Sequence, residues 1–311
     1  MKNTSGVGPS ALPLPDLMDA FPGPFPTSSH ADQVEQHLVQ WAGEFELLAP
    51  PGARRALCGI TGQGIARVLP DADLDSLVLC AELFLWLVAF DDAHGEATAA
   101  RNPARLVDRV GELVCVLAED EARMTHSRPD CGISSHASGP GPHRPSTSGS
   151  PGTCATTSTV FVRTIIATMP IVLSYELLDE QRSSGPVRQL ETAVAHLTGW
   201  VNDLASYARE TDLLRARPLS LPTLLMGEHD LDLPKAFETA SRMCEEQAAV
   251  ARERISELSS NSSPPLTLHA QTLEHIARSF IWHVGHDRHR RFAGSCPSCP
   301  PRPTTGSPSC P

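Results

Sequence analysis

Apolar residues recur at helical spacing along most of this chain. Val34, Leu38, Trp41 and Phe45 follow one another at intervals of four, three and four residues, the period that lines one face of an α-helix. Leu74, Leu77, Val78, Ala81, Leu85 and Val88 carry the pattern to Phe90, and Leu106, Val107, Val110, Leu113, Val114 and Leu117 repeat it. It resumes after residue 159 through Leu190, Val194, Leu197, Val201 and Leu204, then over Ala240–Leu258 and Leu273–Phe292. No segment alternates apolar and polar positions as a half-buried strand does, and no unit of fixed length repeats. The pattern predicts an all-α domain over residues 30–292.

Three stretches break the period. Residues 1–29 are rich in Pro and Gly, with Leu14 and Phe25 as candidate docking points. Residues 127–159 contain no Leu, Val, Phe, Trp or Tyr and are dominated by Ser, Gly, Pro and Thr. Such a composition buries too little apolar surface to offset its ordering entropy, which predicts disorder. The tail, 293–311, has the same character.

Composition narrows the partners. The 311 residues are 41% hydrophobic, enough for a sizeable core. With 25 basic against 36 acidic residues the formal net charge is −11, which excludes bulk electrostatic binding of nucleic acid or an anionic membrane. No apolar stretch of signal-peptide type opens the chain. The longest apolar run, Leu77 to Phe90, is interrupted by Glu82 and ends on two aspartates, too short to span a bilayer. The expectation is a cytoplasmic protein, monomer or homodimer, without membrane insertion. Nine cysteines, an odd number, argue against a disulfide framework. Cys58, Cys80, Cys115 and Cys244 sit in apolar helical contexts and read as core, whereas the Cys296/Cys299 pair lacks a second pair at zinc spacing.

Two motifs carry chemistry. Asp91-Asp92-Ala93-His94-Gly95-Glu96 closes the most apolar helix, and Asp92 and Glu96, four apart, share a face. Carboxylates clustered at a helix C-terminus oppose both one another and the helix dipole unless a cation sits among them. Oxygen donors select a hard ion, Mg²⁺ or Mn²⁺. The second motif is Asn202-Asp203-Leu204-Ala205-Ser206-Tyr207-Ala208-Arg209-Glu210. Asn202, Ser206 and Glu210 fall at i, i+4 and i+8, stacking three oxygen donors along one helix face.

Together these motifs resemble the Asp-rich DDxxx(D/E) and the NSE motif, ND(L/I/V)x(S/T)xxxE, of bacterial class I terpene synthases. The resemblance implies a single-domain helical bundle around an apolar cavity, with the two motifs facing each other at its rim. It implies three Mg²⁺ ions, held by Asp91, Asp92 and Glu96 on one side and by Asn202, Ser206 and Glu210 on the other. The activity it implies is ionisation and cyclisation of a linear isoprenyl diphosphate, with farnesyl diphosphate and a sesquiterpene as the expected substrate and product. The family's diphosphate-sensing arginine maps onto Arg163, the lone charge in the apolar run Val160–Tyr175, where a guanidinium needs an anion, whether the substrate's or that of Glu176. The family's C-terminal arginine maps onto Arg288, with His289 in place of the usual tyrosine. Phe84, Phe90, Phe161, Trp200 and Trp282 are the aromatic candidates for shielding and steering an allylic cation. Another reading takes the loss of period at 127–159 and 293–311 as a change of reading frame, leaving a non-catalytic relative that lacks one cavity wall.

Overall fold

A computed structural model of the chain describes residues 12–94, 157–261 and 263–284, apart from 13, 16, 18, 23–24, 48–50 and 215–216. Among the described residues there are nine helices and no strand. In chain order these are α1 (Ala31–Glu44), α2 (Pro51–Val68), α3 (Leu74–His94), α4 (Thr157–Val172), α5 (Asp179–Arg182), α6 (Gly185–Leu214), α7 (Leu221–His229), α8 (Leu233–Asn261) and α9 (Pro264–Val284).

Local chemistry sets several boundaries. Asp73 accepts the Ser76 backbone N–H at 2.8 Å and so caps α3, and Asp232 does the same for Lys235 at 3.0 Å at the start of α8. Prolines open α2 and α9, where a missing N–H costs nothing. Asp230 ends α7 in a left-handed conformation, φ 51°.

Helix α6 is the centre of the architecture. Residues 193–201 are buried without a break, which requires neighbours on every side. Helices α4, α8 and α9 supply them, while α1, α2 and α3 form a second group joined through α9 packed on α2 and α3 against α4. Ser279 of α9 donates to the Gly64 carbonyl of α2 at 2.8 Å, pinning that seam.

The hydrophobic period leaves α2 and α7 unannounced. α2 buries Leu57, Cys58, Ile60, Ile65 and Ala66 but meets α1 through small residues. A Cβ at Gly62 would stand 3.1 Å from both N and Cα of Glu35, so close helix contact replaces bulky apolar positions there. At the other extreme, Phe45, expected as core, is 60% exposed beyond the end of α1. The N-terminal segment docks through Leu17 and Phe21, 4% and 1% exposed, rather than through Leu14 and Phe25. Residues 157–159, expected to belong to the low-complexity stretch, form the first turn of α4, and Thr159 is fully buried there. The period at Leu106–Leu117, the rest of that stretch, residues 285–292 and the tail lie outside the described residues.

Cys58, Cys80 and Cys244 are buried free thiols, in keeping with their apolar contexts; burial pushes Cys80 up to about 12. Among the described residues no helix is long and apolar enough to cross a membrane.

Candidate metal and diphosphate site

The C-terminal half of α6 displays the NSE residues in a row. Ser206 is 2% exposed, and Asn202 and Glu210 are half-buried. The Asn202 amide nitrogen donates to the Ser158 hydroxyl at 3.4 Å, so the carbonyl oxygen of the same amide is the group left to face a cation. Ser206 donates its proton to the Asn202 backbone carbonyl at 2.8 Å, which turns its lone pairs outward. The Glu210 carboxylate has Arg209 at 3.7 Å, a loose contact beside a normal bidentate pair. A carbonyl, a hydroxyl and a carboxylate along one face form an all-oxygen donor set suited to a hard divalent ion. The row contributes a single carboxylate, and among the described residues no three His, Cys, Asp or Glu side chains converge.

The other motif stands at the end of α3, whose backbone remains helical to His94 and so carries Asp91 and Asp92 in its last turn. Their side chains, and all of Glu96 and Arg288, fall outside the described residues. Two aromatic candidates on the same side of the bundle meet: Phe84 of α3 and Phe161 of α4 pack edge to face with ring centroids 5.2 Å apart. Phe90 stacks on Trp86 at 5.4 Å.

Three expected site residues are placed differently. Arg163 lies on the exposed face of α4 and donates to the Thr192 hydroxyl at 3.4 Å. Water reaches its guanidinium, so the argument that an arginine within that apolar run must find an anion does not hold. Trp200 is 1% exposed and stacks on His196, 4.5 Å between centroids and 13° between planes. Helical geometry puts it about 120° around α6 from the centre of the ligand row. Trp282 sits at the α9–α2 seam with the Arg67 guanidinium 3.8 Å over its ring, a cation–π contact.

Sequence reasoning also missed three residues. Arg209, inside the motif itself, carries a buried Nε with no hydrogen-bond partner, beside Glu210. Asp203 is 2% exposed and accepts the Leu221 backbone N–H at 2.9 Å. His196 is 5% exposed and is pushed down to about 4 by burial and, secondarily, by the Arg163 charge. The Arg209 signal was available in the motif's spacing; the other two depend on contacts between elements.

These features agree with what the chain is similar to. The C-terminal metal-binding family of terpene synthases, family 2, matches residues 155–250. The (12E)-labda-8(17),12,14-triene synthase of Streptomyces anulatus is 48% identical over 91% of this chain and 97% of its own length. The enzyme of the same description from Streptomyces cyslabdanicus is 46% identical over 92% and 96%. The (+)-T-muurolol synthase ((2E,6E)-farnesyl diphosphate cyclizing) of Roseiflexus castenholzii is 25% identical over 73% and 78%. The chain belongs to the terpene synthase family and is a class I terpene synthase, a lyase. In fold it resembles 2-methylisoborneol synthase from Streptomyces coelicolor A3(2) in complex with Mg²⁺ and geranyl-S-thiolodiphosphate, TM-score 0.60 at 17% identity, covering 86% of this chain and 95% of that one. The all-α bundle expected from the period is therefore the terpene synthase fold.

Proposed function

We propose that this enzyme makes a labdane-type C20 triene by eliminating diphosphate from a bicyclic labdadienyl diphosphate. The supporting observation is 48% identity over 91% of the chain to a labda-8(17),12,14-triene synthase, against 25% to the farnesyl diphosphate cyclase. That contrast moves the substrate from the expected farnesyl diphosphate to a C20 compound.

The product's bond pattern specifies the step. A 12,14-diene follows when the C15–O bond of a 13-en-15-yl diphosphate breaks, its electron pair leaving with the diphosphate. The resulting allylic cation then loses a proton from C12 to the released diphosphate. The C12–H pair becomes the C12=C13 bond, and the former C13=C14 pair becomes C14=C15. One ionisation is consumed entirely by this diene, so the two rings and the 8(17) alkene are already present in the substrate.

The protein's residues have defined parts in this reading. Asn202, Ser206 and Glu210 would hold one divalent ion, and Asp91, Asp92 and Glu96 would hold the others. When bound, the ions neutralise the departing diphosphate and stabilise its separation. Arg209, beside Glu210, is assigned the fixed positive charge next to them, and Arg288 the same task from the C-terminal end. Phe84, Phe161 and Phe90 present ring faces and edges that stabilise an allylic cation and exclude water.

The test is incubation of purified protein with Mg²⁺ and, separately, farnesyl, geranylgeranyl and bicyclic labdadienyl diphosphate, followed by mass-spectrometric analysis of extracted hydrocarbons. A labdatriene from the bicyclic substrate alone is expected. A sesquiterpene from farnesyl diphosphate, or no hydrocarbon from folded protein with any of the three, overturns the reading.

A further inference from the structure

The second residue of the NSE row, Asp203, points about 100° away from Asn202 around α6 and ends in the protein interior. Its carboxylate, 2% exposed, accepts the backbone N–H of Leu221 at 2.9 Å. Leu221 is the first residue of α7, whose own N-cap, Ser220, makes no side-chain cap and instead directs its hydroxyl to Thr223 at 3.4 Å. The start of α7 is therefore capped from another helix. Leu221, Pro222 and Leu225 are buried, locking α7 against α6 and α8.

Next to it, within about 100° around the helix, the same turn of α6 is held by α4. Asn202 donates to Ser158, and Gly199 is so close to Thr159 that an added Cβ would stand 2.8 Å from its backbone nitrogen. The turn carrying Asn202 and leading to Ser206 is thus held by two neighbours, α4 and α7. A ligand oxygen about 5 Å from a helix axis moves about 1 Å when the helix rolls by about 10°, which is outside the tolerance of a metal site.

We propose that Asp203 is a positioning residue: through Leu221 it fixes the roll of α6 so that Asn202, Ser206 and Glu210 converge on one ion. This rests on the metal role given to that row under the proposed function. In this role the Asp203 carboxylate acts through the helix, by way of Leu221.

The test measures binding of Mg²⁺ together with inorganic diphosphate by calorimetry on the full chain, alongside thermal melting. Asp203→Ala is expected to weaken Mg²⁺–diphosphate binding about tenfold. Asp203→Asn, whose amide oxygen still accepts the Leu221 N–H, is expected to recover most of that loss. Leu221→Pro deletes the donor at a first helical position where proline is tolerated, and carries the test if Asp203→Ala does not fold. Leu225→Ala, which leaves the cap intact but opens a cavity under α7, is the control for lost packing. Its binding is expected to match wild type even where its melting temperature falls as far as that of the cap variants. The proposal is overturned if both cap variants that fold bind as wild type, or if Leu225→Ala weakens binding as much as they do. Wild-type protein that binds Mg²⁺–diphosphate but converts none of the three prenyl substrates refutes the proposed reaction and leaves the Asp203 result standing.

Discussion

A methyl group at Gly199 tests whether the α4–α6 contact sets the site. In Gly199→Ala the new Cβ would lie 2.8 Å from the Thr159 nitrogen and hydroxyl oxygen and 2.9 Å from its Cα. Backbone atoms are among those struck, so no rotamer change relieves the clash, and α4 must withdraw by about 0.5 Å to reach ordinary contact distance. Withdrawal loosens Val162, Ile165, Ile166 and Met169, all buried on α4. Overpacking of this kind costs about 1–3 kcal/mol, while alanine's better helix propensity returns about 1 kcal/mol. The net expectation is a loss of up to about 2 kcal/mol, or up to roughly 4 °C in melting temperature. Asn202, three residues on and bonded to Ser158 of the same α4 turn, moves with the displaced helix, so metal-dependent turnover falls about tenfold or more. Gly227→Ala provides the contrast: nothing lies within 4 Å of its added Cβ, and the exposed α7 position gains about 0.5–1 kcal/mol without change in turnover. Melting curves and steady-state kinetics on both variants decide the matter. A Gly199→Ala protein as stable and active as wild type refutes the packing argument.

Other outcomes follow from the same geometry. Asn202→Ala and Glu210→Gln should each reduce Mg²⁺-dependent turnover by about a hundredfold or more with unchanged far-ultraviolet circular dichroism; equal turnover removes that residue from the ligand row. Arg209→Gln should weaken diphosphate binding at least about tenfold while Arg163→Gln leaves it unchanged, a comparison read directly by product-inhibition constants. His196 is held at about 4 in the folded protein against an ordinary 6.5, so the unfolded chain binds the extra proton first. Its contribution is therefore intact above pH 6.5 and is lost as pH falls from there towards 4, by about 3 kcal/mol in all. His196→Gln should flatten the wild-type denaturation-midpoint profile across that window, and an unaltered profile contradicts the assignment.

What the sequence disclosed, and what it withheld, follows from the range of the physics involved. Asn202, Ser206 and Glu210 were legible because a helix fixes i, i+4 and i+8 on one face whatever surrounds it. The central helix was legible for the same reason, through Leu190, Val194, Leu197, Val201 and Leu204. Helix α2 was not, because it packs through glycines whose contribution is the absence of a side chain. Arg163 was misjudged because an apolar neighbourhood in sequence was taken for one in space: Val160, 57% exposed, and Ile171, 76% exposed, line the same outward face. Trp200 and Trp282 were expected to face an allylic cation; Trp282 instead meets Arg67 of another helix, a partner that no local pattern predicts, and Trp200 stacks on His196, four residues earlier on its own helix.

The substrate's size belongs to the same class of hidden information. Class I chemistry is encoded by a few oxygen atoms that must converge within tenths of an ångström, and such convergence leaves a spaced motif. The hydrocarbon end is recognised by shape and apolar area, which many residue combinations satisfy equally well. Farnesyl and labdadienyl diphosphates present the same allylic diphosphate to the same ions, so no motif separates them. Likeness over the whole chain supports the C20 reading proposed above, because it samples far more positions than the two motifs do. A 48% identical relative over 91% of the chain therefore bears on the proposed C20 substrate where neither metal motif does.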